Sequence, residues 1–130
     1  MLDSNICIYV MKGAPRALMD RFNAEEEALC ISSISLAELR YGVAKSVVDR
    51  REANAAGVER FISRLQVLPF EERAAADFGD IKAALFRAGT PCGPNDLLIG
   101  AHARSLDLTL VTNNRREFDR MPGLKVENWV

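Results

Sequence analysis

A single histidine, His102, stands in the whole sequence, so neither a two-histidine acid-base ribonuclease nor a His-rich metal centre can be built within one chain. Cysteine is almost as scarce. Cys7, Cys30 and Cys92 are odd in number and far apart, with no Cys-x-x-Cys pair, which excludes a disulfide framework and a structural zinc site and leaves reduced, mostly buried thiols. No apolar run approaches the roughly 20 residues of a membrane helix. Nor does a basic segment lead into an apolar stretch and a small-residue cleavage site; the expectation is a cytoplasmic protein with no membrane partner. Charge of one sign is also lacking. The 17 Lys and Arg nearly balance 18 Asp and Glu, for a net charge of −1, without the basic excess of most dedicated nucleic-acid binders. Repeats, low-complexity tracts and Gly/Ser/Pro-rich linkers are absent, so residues 1–130 read as one folded unit.

What is present alternates between two kinds of apolar segment. Residues 28–34, 65–69, 108–112 and 124–126 are short, rich in branched side chains and bounded by polar residues or Pro, which suits buried strands. Between them run helical patterns. Residues 35–46 lead into a stripe of Leu36, Leu39, Val43 and Val47; residues 51–64 repeat the pattern less clearly. Residues 71–87 carry Ala75, Phe78, Ile81, Ala84 and Leu85 on one side and stop at Gly89, and residues 94–106 are apolar around most of the circumference. This alternation predicts an α/β fold with a central, mostly parallel sheet and helices on both faces, its site outside the carboxyl ends of the strands.

That rule directs attention to acids just after strands and at helix starts. Asp3 follows a very short first strand, Met1-Leu2; a helix N-cap is its ordinary role. Glu38 lies on the helix after the second strand, opposite the Leu36/Leu39/Val43 stripe, with Tyr41, Lys45 and a Gly42 that leaves room beside it; the plain alternative is a solvated helix face. Asp96 opens the helix that must be buried, where the helix dipole favours an acid, and Gly100 and Ala103 suggest an open face beside it. The last strand ends in Thr112-Asn113-Asn114-Arg115-Arg116-Glu117, an Asn-rich turn where a parallel sheet displays its ligands. If Asp3, Glu38 and Asp96 converge, their mutual repulsion calls for a cation. A hard divalent ion, Mg²⁺ or Mn²⁺, suits an oxygen-only site and supports in-line hydrolysis of a phosphodiester.

Taken together, Met1-Leu2-Asp3-Ser4-Asn5, Ile31-Ser32-Ser33-Ile34-Ser35-Leu36-Ala37-Glu38-Leu39-Arg40-Tyr41-Gly42, Gly89-Thr90-Pro91, Gly93-Pro94-Asn95-Asp96, Leu110-Val111-Thr112-Asn113-Asn114, Pro122-Gly123-Leu124 and Glu127-Asn128-Trp129 resemble the PIN-domain ribonucleases, specifically the VapC toxins of bacterial toxin-antitoxin pairs. Each motif is weak alone; in register along the whole chain they are specific. The resemblance implies a three-layer PIN fold spanning 1–130. It implies that Asp3, Glu38 and Asp96 hold one or two Mg²⁺ or Mn²⁺ ions and act, with Asn114, in cleavage of RNA. Structured RNA such as tRNA is the substrate class, cut to leave a 5′-phosphate and a 3′-hydroxyl. Asn114 stands where the family often has a fourth acid, and Glu117, a turn later, is a candidate replacement. Ser4, where Thr is commoner, with Asn5, Arg40, Thr112, Asn113, Arg115 and Arg116, are the expected substrate contacts.

The resemblance further implies a homodimer and a VapB-type antitoxin that wraps the toxin in a larger assembly, inserts an Arg into the acidic pocket and engages the helical hairpin around 41–64. Relatives usually have a few more residues before the first Asp, so the expectation is either an upstream start or a clipped first strand. Two other classes compete. A receiver-like domain also gathers acids at strand ends but wants an acidic pair after its first strand and a late Lys, which are missing here; a catalytically silent PIN scaffold is the other. Near-neutral net charge does not exclude RNA, because residues 40–51 and 104–125 are locally basic by three and two charges.

Overall fold

A computed structural model describes residues 1–130. In chain order the elements are α1 (Ser4–Met11), α2 (Arg16–Ala24), a 3₁₀ turn (Glu26–Ala28), β1 (Cys30–Ser32), α3 (Ser33–Ala44), α4 (Val48–Ile62), β2 (Gln66–Leu68), α5 (Glu72–Ala88), α6 (Pro94–Ser105), β3 (Thr109–Val111), α7 (Arg115–Phe118) and β4 (Lys125–Glu127). β1 pairs in parallel with β2, and β3 with β4. Leu2 joins the two pairs, bridging Ile31 on one side and Val111 on the other, both in parallel. The Leu2 amide donates to the Cys30 carbonyl and the Asp3 amide to the Val111 carbonyl, each at 2.9 Å. The first strand is therefore as short as expected, yet it sits in the middle of the sheet and delivers Asp3 to its carboxyl edge.

Successive strand residues face opposite sides. Leu2, Ile31 and Val111 pack with Ile6, Phe22, Leu39 and Phe61 in a cluster beneath α1 to α4, whereas their neighbours Met1, Cys30 and Leu110 pack with Ile81, Ile99, Phe118 and Met121 beneath α5, α6 and α7. Two apolar clusters on one sheet make the layered α/β architecture with helices on both faces. The thiols fit the same picture, free, with Cys7 and Cys30 buried and Cys92 half-buried.

Boundaries differ from the sequence expectation for local reasons. The run 28–34 contributes only Cys30–Ser32 as strand, because the Ser32 hydroxyl accepts from the Ile34 amide at 3.0 Å and starts α3 there. α3 ends at Ala44 rather than 46, which removes Val47 from the apolar stripe and leaves it 65% exposed as the residue before α4. α4 begins at Val48 rather than 51. In α5 the buried residue is Ala74, not Ala75; Gly89 ends the helix as expected, in the left-handed conformation at φ 71°. Three helices lie outside the sequence expectation: α1 and α7 are too short for periodicity to register, and α2 shows its pattern only as Leu18 and Phe22, buried one turn apart. Gly100 also has a different purpose from the one expected. It is buried, and a Cβ there would lie 2.3 Å from Met121 Sδ, so the residue admits the Met121 side chain to α6 and opens no space for a ligand.

Candidate active site

Asp3 combines its two possible roles. As N-cap of α1 it accepts from the Ser4 amide through Oδ1 at 2.7 Å, while Oδ2 accepts from the Thr112 hydroxyl at 2.8 Å. The same Thr112 oxygen accepts the Asn114 amide at 2.9 Å, and Asn114 Nδ2 donates to Asp96 Oδ2 at 3.3 Å. On the other side the Ser4 hydroxyl donates to Glu38 Oε1, and Asn95 Nδ2 lies 3.5 Å from Glu38 Oε2. One polar chain thus runs Glu38, Ser4, Asp3, Thr112, Asn114, Asp96 along the carboxyl edge of the sheet. The helices supply it for geometric reasons: α1 and α3 start directly from strand ends, and α6 starts at Pro94, a residue preorganised for a first helical position.

The electrostatics of this chain are unbalanced. Asp3 is 3% exposed, and burial raises its pKa. Asp96 is pushed up to about 7, first by burial, then by a hydrogen bond with Glu117 and by the charges of Asp3, Glu117 and Glu38. Glu117 is held below its ordinary value, chiefly by that same bond to Asp96. No Lys or Arg forms an ion pair with Asp3, Glu38, Asp96 or Glu117.

The structure sorts the expected contact residues. Ser4 and Thr112 are buried, and their hydroxyls donate to Glu38 and Asp3, so both fix the position of an acid; Ser4 also lines the groove beside Glu38. Arg40 points to the hairpin and pairs with Glu59, away from the acids. Arg115 pairs with Asp119 on its own turn at 3.1 Å, whereas Arg116 is exposed beside Glu117 and unpaired. Asn5 and Asn95 line the groove that leads away from Glu38. Asn114 donates its side-chain amide nitrogen to Asp96. The acid that reaches Asp96 is Glu117; the short helix α7, invisible in the sequence pattern, turns it inward.

A PIN-domain family model matches residues 1–124. The tRNA(fMet)-specific endonuclease VapC of Salmonella typhimurium is 50% identical over 129 residues, covering 99% of this chain and 96% of that protein. The chain belongs to the VapC branch of the PIN-domain family. Ribonuclease VapC2 of Haemophilus influenzae is likewise 50% identical, over 100% of this chain and 97% of the relative. Among solved structures, DNA-bound VapBC from Salmonella typhimurium superposes with a TM-score of 0.95 over 100% of this chain and 97% of its own, at 50% identity. VapBC2 from Rickettsia felis bound to a promoter DNA fragment superposes with a TM-score of 0.93, covering 100% of this chain and 98% of its own, at 39% identity. Membership removes the receiver-like reading. No helix of this VapC-family chain is long and apolar enough to cross a membrane.

Proposed function

We propose that this chain is a Mg²⁺- or Mn²⁺-dependent endoribonuclease toxin that cleaves tRNA, arrests translation and is silenced by a VapB-type antitoxin. The observation that carries the reading is the run of carboxylates, Asp3, Glu38 and Asp96 with Glu117, at a sheet edge with no cationic side chain paired to them. Their donor atoms are all oxygen, which fits a hard divalent ion. As arranged, no three metal-ligating side chains close on a single point. This suits Mg²⁺, which typically takes one or two carboxylates and keeps waters or substrate phosphates in its remaining positions. Asp3 and Asp96 are the residues that would hold it, with Glu38 and Glu117 adding negative charge. When bound, such an ion activates water and stabilises charge on a phosphoryl group.

The chain's own residues supply the rest. Thr112 and the Ser4 amide fix both oxygens of Asp3, and Ser4 Oγ fixes Glu38. Glu117 accepts the proton that Asp96 carries near neutral pH, so loading the site requires that proton to leave. Arg116, unpaired at the rim, is the cation placed to meet an RNA phosphate. The tRNA assignment is supported by the name of the Salmonella relative. The antitoxin is supported by relatives solved as VapBC pairs and by a groove between α1, α3 and α4. That groove is lined by Ile8, Met11, Tyr41 and Val43, rimmed by Lys12 and Lys45, and reaches Glu38. An antitoxin guanidinium entering at Glu38 would neutralise the acids in place of the metal.

The test is incubation of purified protein with total RNA and Mg²⁺, with an EDTA control and mapping of the product ends. Discrete cuts in tRNA that leave 5′-phosphates and vanish in EDTA are expected. Absence of cleavage, with growth unaffected on expression, favours the silent scaffold.

A further inference from the structure

His102 takes no part in the polar chain of acids, yet it is a polar residue only 1% exposed. Nδ1 lies 2.7 Å from Ser32 Oγ, and Phe70 packs edge-on against the ring with centroids 5.5 Å apart. Ser32 Oγ already accepts the Ile34 amide as the cap of α3. The hydroxyl is fully buried, and Nδ1 is the one acceptor in reach of its proton. Ser32 therefore donates and Nδ1 accepts, which places the ring proton on Nε2, near the Pro69 carbonyl but without a well-formed hydrogen bond. Burial holds the imidazole pKa below its ordinary value, so the ring stays neutral and able to accept.

The elements meeting at this one bond are those that carry the acids. Ser32 ends β1, whose Ile31 pairs with Leu2 beside Asp3; it caps α3, which bears Glu38; and His102 lies on α6, which opens at Asp96. The Pro69 carbonyl, in the chain between β2 and α5, lies close to the ring, so the imidazole joins β1, α3 and α6 to that segment as well.

We propose that His102 is a positioning residue: through Ser32 it clamps α6 to the start of α3 and so sets the spacing of Asp96 from Glu38 and Asp3, on which affinity for a divalent cation depends. The inference rests on the metal-site reading above. Residues that orient ligands from behind typically change metal affinity 10- to 100-fold when removed.

The experiment measures Mn²⁺ binding by electron paramagnetic resonance, with melting temperature and amide hydrogen exchange recorded on the same samples. His102→Leu and Ser32→Ala should each weaken Mn²⁺ binding about tenfold, and the double variant should lose no more than the worse single one. His102→Asn, which restores an acceptor near Nδ1, should recover most of the affinity. Exchange should quicken at Ile34 to Leu39 and in the first turn of α6. Wild-type affinity in a folded His102→Leu, or additive losses in the double variant, would overturn the clamp. If His102→Leu fails to fold, Ser32→Ala against Ser32→Thr makes the same comparison. Should the wild-type protein bind no Mn²⁺, the metal reading fails on its own, and the clamp is judged by exchange: unchanged exchange in both variants overturns it.

Discussion

Asp96 on α6 and Glu117 on α7 are close enough to shift one another's pKa in opposite directions, Asp96 upward and Glu117 downward. Such a pair is stable only while one proton is shared or a cation intervenes, and here the proton resides on Asp96, whose pKa is pushed up to about 7.

This arrangement sets the acid site against stability. A carboxyl whose folded pKa exceeds its unfolded value makes the native chain bind more protons, so the metal-free protein loses stability as pH rises from about 4 through 7. Asp3, raised by burial, acts with the same sign. Asp96→Asn should therefore melt a few degrees higher than wild type at pH 7.5 and no higher at pH 4, measured by calorimetry without divalent cations.

Metal binding must displace the same proton. Mn²⁺ affinity should be roughly constant above pH 8 and fall about tenfold per pH unit below 7, with close to one proton released per ion, as followed by calorimetry in buffers of different ionisation enthalpy. Glu117→Gln should move the midpoint to lower pH, because the Asp96 carboxyl loses the neighbouring negative charge and keeps only a neutral, weaker amide acceptor for its proton.

Thr112 offers a sharper dissection. Its hydroxyl contacts only Asp3 and the Asn114 amide, and it is fully buried. Thr112→Val keeps the shape, removes both hydrogen bonds, to Asp3 and from the Asn114 amide, and should cost about 2 kcal/mol of stability. Cleavage should drop about 10- to 100-fold at subsaturating Mg²⁺ and recover partly at high Mg²⁺; denaturant titration and initial rates separate the two effects.

The homodimer implied by the family has a candidate face. The outer side of α5 presents Ala75, Ala76, Gly79 and a Phe86 that is 83% exposed. Glu71 and Lys82 flank one side of this stripe and Arg73 and Asp80 the other, all exposed and none paired within the chain. In an antiparallel two-fold pairing each acid meets a second copy's base on its own flank, and both pairs share one midpoint between Ala76 and Asp77. Sedimentation should show a dimer for wild type and a monomer for Phe86→Glu or Gly79→Arg. A dimer that survives both substitutions would place the interface elsewhere.

Much of this was legible in the residues. Asp3 and Asp96 stand where the alternation of short apolar runs and helical stripes puts a strand end and a helix start, Glu38 lies on the helix after the second strand, and the structure links the three by hydrogen bonds through Ser4, Thr112 and Asn114. What escaped was short or relational. α1 is buried through Ile6, Cys7 and Val10 over only two turns, too brief for periodicity to register, and α7 is a single turn. Gly100 looked like space for a ligand because a sequence cannot show Met121 arriving from 21 residues away. Thr112, expected at the substrate, is consumed by Asp3 because both end neighbouring strands, a pairing that exists only once Leu2 enters the sheet between Ile31 and Val111. Arg40 likewise looked available until α4 brought Glu59 beside it.

The central claim, that these carboxylates hold the cation that drives RNA hydrolysis, is tested most directly by single-turnover cleavage, at fixed Mg²⁺, of the purified tRNA that the wild-type protein cuts in total RNA, comparing wild type with Asp96→Asn. A loss of about a thousandfold or more, equivalent to roughly 4 kcal/mol of transition-state stabilisation, is the predicted result, with wild-type cleavage abolished by EDTA. Cleavage by Asp96→Asn at the wild-type rate, or wild-type cleavage that persists in EDTA, would contradict it.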